Sequence, residues 1–431
     1  MSYKERTKGS LRLYKRAQSV LPAGVSYQLR DITPHPFYVR KAQGVKLTDV
    51  DGNVYTDYWV GHGALILGHS PKQVVDAVAK QLPNGTHYGF CHELEIELAE
   101  RVVDMMPSAE MVRYTSSGTE ANLYATRLAR AYTGRMKMLK IEGGWHGGYD
   151  SLHMAVHAPF NVSESAGLNP KTVEDTSAVP FNDLDAAEKA LKPGDKACLI
   201  IEPVMGAGGF ITPEPGYLEG LRELCDETGT LLLFDEVVTG FRLAPGGAQE
   251  YYGVTPDVST IGKILGGGFP IGALVGRREV FEKINHKKYP GMQERSAQGG
   301  TFTGNPISMT AGIATLDALK GGKVHKKIGM LGGKMSEGLR EIAGRYSFQA
   351  SVIGVESCFA LHFRPKPPRN ARETADSDGR AAKAFYEHML NNNIAFMTPS
   401  TCHAWICEPH TEKDVGEFLA AAEAFFKSYK G

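Results

Sequence analysis

Asp235 and Lys263 stand at the ends of two short apolar runs, where an acid and an amine can be offered to one reaction centre. The run Leu231-Leu232-Leu233-Phe234 reads as a buried strand that stops at Asp235, and ligands of α/β sheets bind at the carboxyl ends of strands. Lys263 closes a second short strand, Val258-Ser259-Thr260-Ile261, after which Gly266-Gly267-Gly268 lets the backbone pass close to a neighbour without side-chain bulk. A lysine that can lose its proton in a partly apolar site forms Schiff bases with carbonyls.

Pyridoxal phosphate asks a protein for such a lysine, for a carboxylate that keeps its pyridine nitrogen protonated, and for helix-start amides around its phosphate. An apolar run ending in Asp-Glu also holds magnesium in nucleotide hydrolases. That chemistry needs a GxxxxGK[ST] loop, and none of Gly262-Lys263, Gly322-Lys323 and Gly333-Lys334 sits in one.

Other stretches fit the first chemistry. Tyr114-Thr115-Ser116-Ser117-Gly118-Thr119-Glu120 follows an apolar strand and opens a helix, so its amides and dipole suit an anion, although the same residues also make an ordinary capping box. In Gly143-Gly144-Trp145-His146-Gly147-Gly148, flanking glycines can thrust an aromatic plane toward a ring, and a core tryptophan is the plain alternative. Ile200-Ile201-Glu202-Pro203 is another strand ending in an acid. Gly300-Thr301-Phe302-Thr303-Gly304-Asn305-Pro306 adds a hydroxyl ahead of a helix. His146, His153 and His157 raise a metal site, with His153 and His157 on one helix face, but no cysteine or acid completes a zinc set, so no metal is expected.

These residues need a scaffold. At 431 residues, 42% hydrophobic and 22% charged, the chain is long enough for two domains with real cores. Balanced charge, 48 basic against 48 acidic residues, gives no reason to expect nucleic acid or an anionic membrane as partner. The first residues lack an apolar signal core, no run of membrane-spanning length occurs, and the six cysteines are scattered without metal or disulfide spacing. A cytoplasmic protein with free thiols is expected.

The pattern predicts an N-terminal arm over residues 3 to 20, then a small antiparallel sheet from Phe37–Arg40, Val45–Asp49 and Val54–Tyr58. From Pro71, apolar strands alternate with helices: Met111–Thr115, Met138–Ile141, Cys198–Ile201, Leu231–Phe234, Thr260–Ile261 and Ala273–Val275. The expected class is α/β, with a large doubly wound, mostly parallel sheet domain over 71–315. Residues 1–70 and 316–431 supply the arm and a smaller α+β domain drawn from both ends.

The order and spacing of these pieces resemble the class III (fold type I) pyridoxal-phosphate aminotransferases over nearly the whole chain. Within that class they are most similar to the glutamate-1-semialdehyde 2,1-aminomutases. The resemblance rests on Pro22-Ala23-Gly24-Val25-Ser26 with Arg30, Ser117-Gly118-Thr119-Glu120-Ala121, Trp145-His146-Gly147, Phe234-Asp235-Glu236-Val237 with Gly240-Phe241-Arg242, Gly262-Lys263, and Gly300-Thr301 with Gly304-Asn305-Pro306. It implies that Lys263 holds the cofactor and shuttles protons, Asp235 pairs with the ring nitrogen, Val237 packs under the ring and Trp145 stacks above it. It further implies that Ser117, Gly118 and Thr119 bind the phosphate, that Glu202 lies near the phenolic oxygen, and that Thr301 reaches the phosphate of a neighbouring subunit, which requires a homodimer with shared sites. Arg30 would pair with a substrate carboxylate, with Arg242 and Arg364 as further candidates.

Two features depart from the aminomutase pattern. His403 stands where that pattern has a glutamate, so an acid becomes a possible cation in the substrate region. The connection from Phe281 to Gly300 is longer and more charged than the corresponding gate, and loop closure governs whether an intermediate is retained. The expected activity is therefore a transaminase moving an amino group between a small carboxylate-bearing amino donor and an oxo acceptor through an aldimine on Lys263, with the aminomutase and an amino-acid epimerase as alternatives.

Overall fold

The computed structural model describes residues 2–162, 164–396 and 402–429, and the chain divides into two units. The larger comprises Lys72–His325 and Pro368–Ala375; the smaller comprises the chain up to Pro71, Lys326–Pro367, and Asp376 onward. The large unit thus runs past residue 315, because the helix Pro306–Leu319 lies against the helices Lys72–Gln81 and Glu93–Met105 and buries residues around its whole circumference. Pro368–Ala375 returns to the same unit. Arg369 and Arg372 there make two-pronged contacts with Glu214 and Glu142.

The large unit is built on seven strands: β1 Met111–Thr115, β2 Lys137–Ile141, β3 Thr176–Val179, β4 Lys196–Ile201, β5 Leu231–Glu236, β6 Val258–Gly262 and β7 Gly272–Gly276. Their order across the sheet is β1-β7-β6-β5-β4-β2-β3. Pairings from β3 to β6 are parallel, while β7 runs antiparallel to both β6 and β1. Strand β3 was not expected: Thr176-Ser177-Ala178-Val179 is weakly apolar because an edge strand has only one neighbour.

Every residue of β4, β5, β6 and β7 is buried, as continuous apolar strands require when both faces are covered. On one face Ala125, Leu128 and Ala129 of the helix Gly118–Thr133 pack with Cys198, Ile200, Leu231, Leu233, Val258 and Leu274. Each large apolar side chain enclosed this way contributes about 1.5–3 kcal/mol. The register sets Thr115, Gly272 and Gly262 side by side, and Asp235 opposite Thr260. The ends of β1, β6 and β5 therefore lie along one sheet edge.

In the smaller unit Val39–Gln43, Lys46–Asp49 and Val54–Asp57 form an antiparallel meander, and Ile394–Ala395 adds a parallel strand to it. A second sheet joins Ser351–Val355, Cys358–His362 and His403–Trp405. Helices Gly379–Asn391 and Glu412–Ser428 belong to the unit, with the N-terminal helices Tyr3–Arg6 and Lys8–Ala17 and all but the first three residues of the helix Lys323–Arg345.

Candidate active site

Because both faces of β5 are covered, Asp235 at its end is enclosed, with 4% exposure. Its oxygens are met by donors from three elements. Asn122 Nδ2 and His146 Nδ1 donate to Oδ2 at 2.8 and 2.7 Å, and the Val237 amide donates to Oδ1 at 3.0 Å. Asn122, in the first turns of the helix Gly118–Thr133, is itself oriented by Thr260, whose Oγ1 donates to Asn122 Oδ1 at 2.7 Å. Burial pushes the Asp235 carboxyl up, yet the hydrogen bonds from His146, Val237 and Asn122 outweigh it and hold Asp235 below the ordinary carboxylate range. Burial lowers His146, so the ring is neutral and carries its proton on Nδ1. Its Nε2 is buried and has no hydrogen-bond partner among the described residues.

Lys263 follows β6 directly and has φ +46°, a left-handed conformation that costs a non-glycine residue about 1–3 kcal/mol. The glycine triplet makes this turn possible. At Gly267, φ is +55° and a β-carbon would sit 2.3 Å from Thr315 Oγ1, so only glycine lets the turn lie on the helix Pro306–Leu319. Burial lowers the Lys263 amine, and the charges of Asp235 and Glu202 offset part of that shift. No hydrogen bond or ion pair to its Nζ occurs among the described residues.

Glu202, one residue past β4, accepts the Trp145 amide at 2.8 Å on Oε1 and the Gly206 amide at 2.9 Å on Oε2. Burial, and next the charge of Asp235, push it up to about 7. The neighbouring Glu236 is a structural acid, held by Gln249 at 2.9 Å and Thr239 at 3.1 Å.

Ser117 caps the helix Gly118–Thr133 through the Glu120 amide at 3.2 Å, and Glu120 reaches back to the Ser116 amide at 2.7 Å. Glu120 thus ties the residue before the N-cap and no reciprocal capping box forms, and the amides of Gly118 and Thr119 stay without partners among the described residues, at the positive end of a 16-residue helix. Such a turn fits a phosphate. The turn is closely packed: a β-carbon on Gly118 would lie 3.0 Å from both Val237 methyls, and one on Gly147, at φ +84°, would lie 2.2 Å from Thr119 Oγ1.

Trp145 is 42% exposed and meets His153 edge-on at 5.3 Å, so it is not a core tryptophan. Thr301 is exposed, in a turn, and no hydrogen bond among the described residues ties it to Ser117–Thr119. The Phe281–Gly300 connection is cross-linked internally, with Lys283 over the Tyr289 ring at 4.3 Å and Arg295 donating to the carbonyls of Tyr289 and Pro290. His153 follows a short 3-10 turn and His157 binds Glu164 at 2.9 Å, so the shared helix face expected for them does not form. No cluster able to hold a metal occurs among the described residues.

The remaining candidates need correction or separate placement. Arg242 is wholly buried. Arg30, in the smaller unit, is exposed and donates to Ser26 Oγ at 3.1 Å. His403, in the same unit, lies 5.3 Å from the Trp59 ring and 5.4 Å from Trp405, and burial lowers it to about 3. It is therefore a neutral imidazole and not the cation expected; Pro399, Ser400 and Thr401 beside it lie outside the described residues. Sequence reasoning missed Asn122 and Thr260 and assigned no role to His146 beside Asp235. The only signal was polar residues where the first helical turn and β6 should have been apolar.

Residues 27–401 match the family described as aminotransferase class-III. The chain is 44% identical, over 96% of its length and 96% of its relative's, to a glutamate-1-semialdehyde 2,1-aminomutase of Methanothrix thermoacetophila. Its fold matches an omega-transaminase from Sphaerobacter thermophilus with a TM-score of 0.93 at 31% identity, covering 99% of this chain and 98% of that one. It also matches a variant glutamate-1-semialdehyde aminomutase from Pseudomonas aeruginosa, solved in complex with PMP, with a TM-score of 0.91 at 25% identity, covering 98% and 95%.

Proposed function

The chain belongs to the class-III aminotransferases, a family of pyridoxal-phosphate enzymes, and from that premise we propose that it is a glutamate-1-semialdehyde 2,1-aminomutase holding pyridoxal 5'-phosphate on Lys263. The 44% identity over nearly the full length of an aminomutase carries this reading and favours it over the transaminase preferred from the sequence alone. The residues suit the cofactor: an unpaired buried amine at Lys263, an anionic Asp235 and two unpartnered helix-start amides. Bound there, the cofactor supplies an electrophilic carbon and an electron-accepting ring.

Asp235 stays ionised and would hold a proton on a ring nitrogen, while neutral His146 and Asn122 keep the carboxylate from turning away. Lys263, its amine lowered by burial, would hold the cofactor covalently and could move protons to and from substrate carbon. Gly118 and Thr119 amides bind phosphate, with the hydroxyls of Ser117 and Thr119 beside them. Glu202 retains its proton near neutrality and can share it with a phenolic oxygen. By the resemblance to the aminomutases, Trp145 would cover the ring, Val237 would support it, and Arg30 and His403 would be the substrate contacts.

A second copy of the chain completes the site in this reading, with Thr301 of the partner subunit at the phosphate. The exposure of Thr301, and of the adjacent Phe302 at 60%, supports an assembly that covers this turn. The location we infer is cytoplasmic: all six cysteines are free, and no helix among the described residues is long and apolar enough to cross a membrane.

The test is a half-reaction. The yellow enzyme is mixed singly with 4,5-diaminovalerate and with α-, β- and ω-amino acids, and the visible band and the products are followed. Conversion of glutamate 1-semialdehyde to 5-aminolevulinate, with the band discharged only by diaminovalerate, is the expected result, and Lys263→Ala should abolish it. A transaminase is the second reading, supported by the 31% identical omega-transaminase fold and by His403 in place of the glutamate of the aminomutase pattern. Discharge by an ordinary amino acid with release of its oxo acid would establish that reading instead.

A further inference from the structure

Lys140 is the fourth residue of β2 and has no exposed surface, yet its Nζ meets no carboxylate within ion-pair distance among the described residues. Three backbone carbonyls surround it instead: Gly144 at 3.0 Å, Leu152 at 3.0 Å and Met154 at 2.6 Å. All three belong to the loop that leaves β2 and carries Trp145 and His146. An ammonium has three donors, and here each finds a carbonyl of the same loop. This is the arrangement of a small cation caged by backbone oxygens, with the cation supplied by a side chain.

We propose that Lys140 is a positioning residue, an internal cation that closes the loop from residue 143 to residue 154 on itself and so sets Trp145 at Glu202 and His146 at Asp235. The loop is also tied by Asn122 Nδ2 donating to the His146 carbonyl at 3.2 Å, by Thr176 Oγ1 donating to the Ser151 carbonyl at 2.7 Å, by Arg130 donating to the Tyr149 hydroxyl at 3.3 Å, and by Leu152 in the core, but none of these gathers the Gly144, Leu152 and Met154 carbonyls at one point. Its own hydrogen bonds run from the Gly143 amide to the Ala155 carbonyl at 2.8 Å, from Gly144 to Ile141 at 3.2 Å, and from Leu152 and His153 to Tyr149. Outside the loop, the Trp145 amide reaches Glu202 and the His146 ring reaches Asp235. Without the ammonium, three carbonyls facing one buried point would repel one another and find no donor, so the loop would open to water. Burial lowers the Lys140 amine to about 8, and the titratable groups that face it are Glu202 at the end of β4, Glu164, and His146.

The test is hydrogen exchange read by mass spectrometry on the cofactor-free chain, which makes it independent of the proposed activity. In Lys140→Met the amides of Gly143, Gly144, Trp145, Leu152 and His153 should exchange at least roughly tenfold faster, while peptides from β4 and β5 keep their protection. Equal protection of the loop in a folded Lys140→Met chain overturns the proposal. The same variant is then titrated with pyridoxal phosphate: affinity lowered by roughly tenfold or more, with an altered circular dichroism band of the bound cofactor, is expected from displacement of Trp145 and His146. Loop opening with unchanged affinity and band would refute the link to the site. Should Lys140→Met fail to fold, the wild-type chain serves: loop exchange, corrected for intrinsic base catalysis, should accelerate between about pH 7 and pH 9 relative to β5, and a constant ratio overturns the proposal.

Discussion

Replacing Glu202 with glutamine removes a carboxyl that the fold encloses and holds by two backbone amides. Folding raises this acid from 4.5 to about 7. An acid raised on folding binds its proton more tightly in the native chain, so its contribution to stability is fully present below the unfolded value and is lost as pH rises through the folded one. The whole interval corresponds to about 3 kcal/mol, of which about 2 kcal/mol falls between about pH 5.5 and pH 8. Glutamine keeps the shape but does not titrate, so the stability of Glu202→Gln relative to the wild type should rise by about 2 kcal/mol across that range. One of the two amides, Trp145 or Gly206, will face an NH2 group instead of an oxygen, at a cost of about 1–3 kcal/mol. That cost is independent of pH: it moves the level of the difference and leaves its slope. Urea unfolding of both cofactor-free proteins at several pH values gives the difference directly. A difference flat within about 0.5 kcal/mol, or one that falls with pH, would refute the assignment of a raised acid at this position.

Two further outcomes follow from the site. His146→Leu removes the shortest donor to Asp235, which should raise the carboxylate and weaken its hold on a ring proton; a loss of roughly ten- to hundredfold in turnover, largest at low pH, is expected in the pH profile of kcat. Gly147→Ala forces a β-carbon into Thr119 at a positive φ, so it should cost about 1–3 kcal/mol in thermal unfolding and weaken phosphate binding, read by titration of the apoenzyme with pyridoxal phosphate.

Much of the scaffold was legible because it is written in local patterns. Apolar runs bounded by acids and glycines marked β5 and β6, and with them Asp235 and Lys263; a run of small hydroxyl residues before helical spacing marked the cap at Ser117. Three features left no such trace. Strand β3 is an edge with little apolar content, and the antiparallel course of β7 depends on its partners β1 and β6. The return of Pro368–Ala375 to the large unit rests on ion pairs with Glu142 and Glu214 that are distant in sequence.

The sequence by itself determined that an amine and an acid would end adjacent strands, since hydrophobic periodicity and chain-terminating carboxylates are properties of a few consecutive residues. Only the tertiary structure decided their chemical state. Asp235 is held ionised by Asn122 and His146, 113 and 89 positions away, and Glu202 is pushed toward neutrality by its own burial and by the charge of Asp235. His403, free to be read as a cation in the chain, becomes a neutral ring because aromatic neighbours exclude water from it. Charge depends on desolvation and on partners brought in from elsewhere in the chain, and neither quantity exists until the sheet has closed over them.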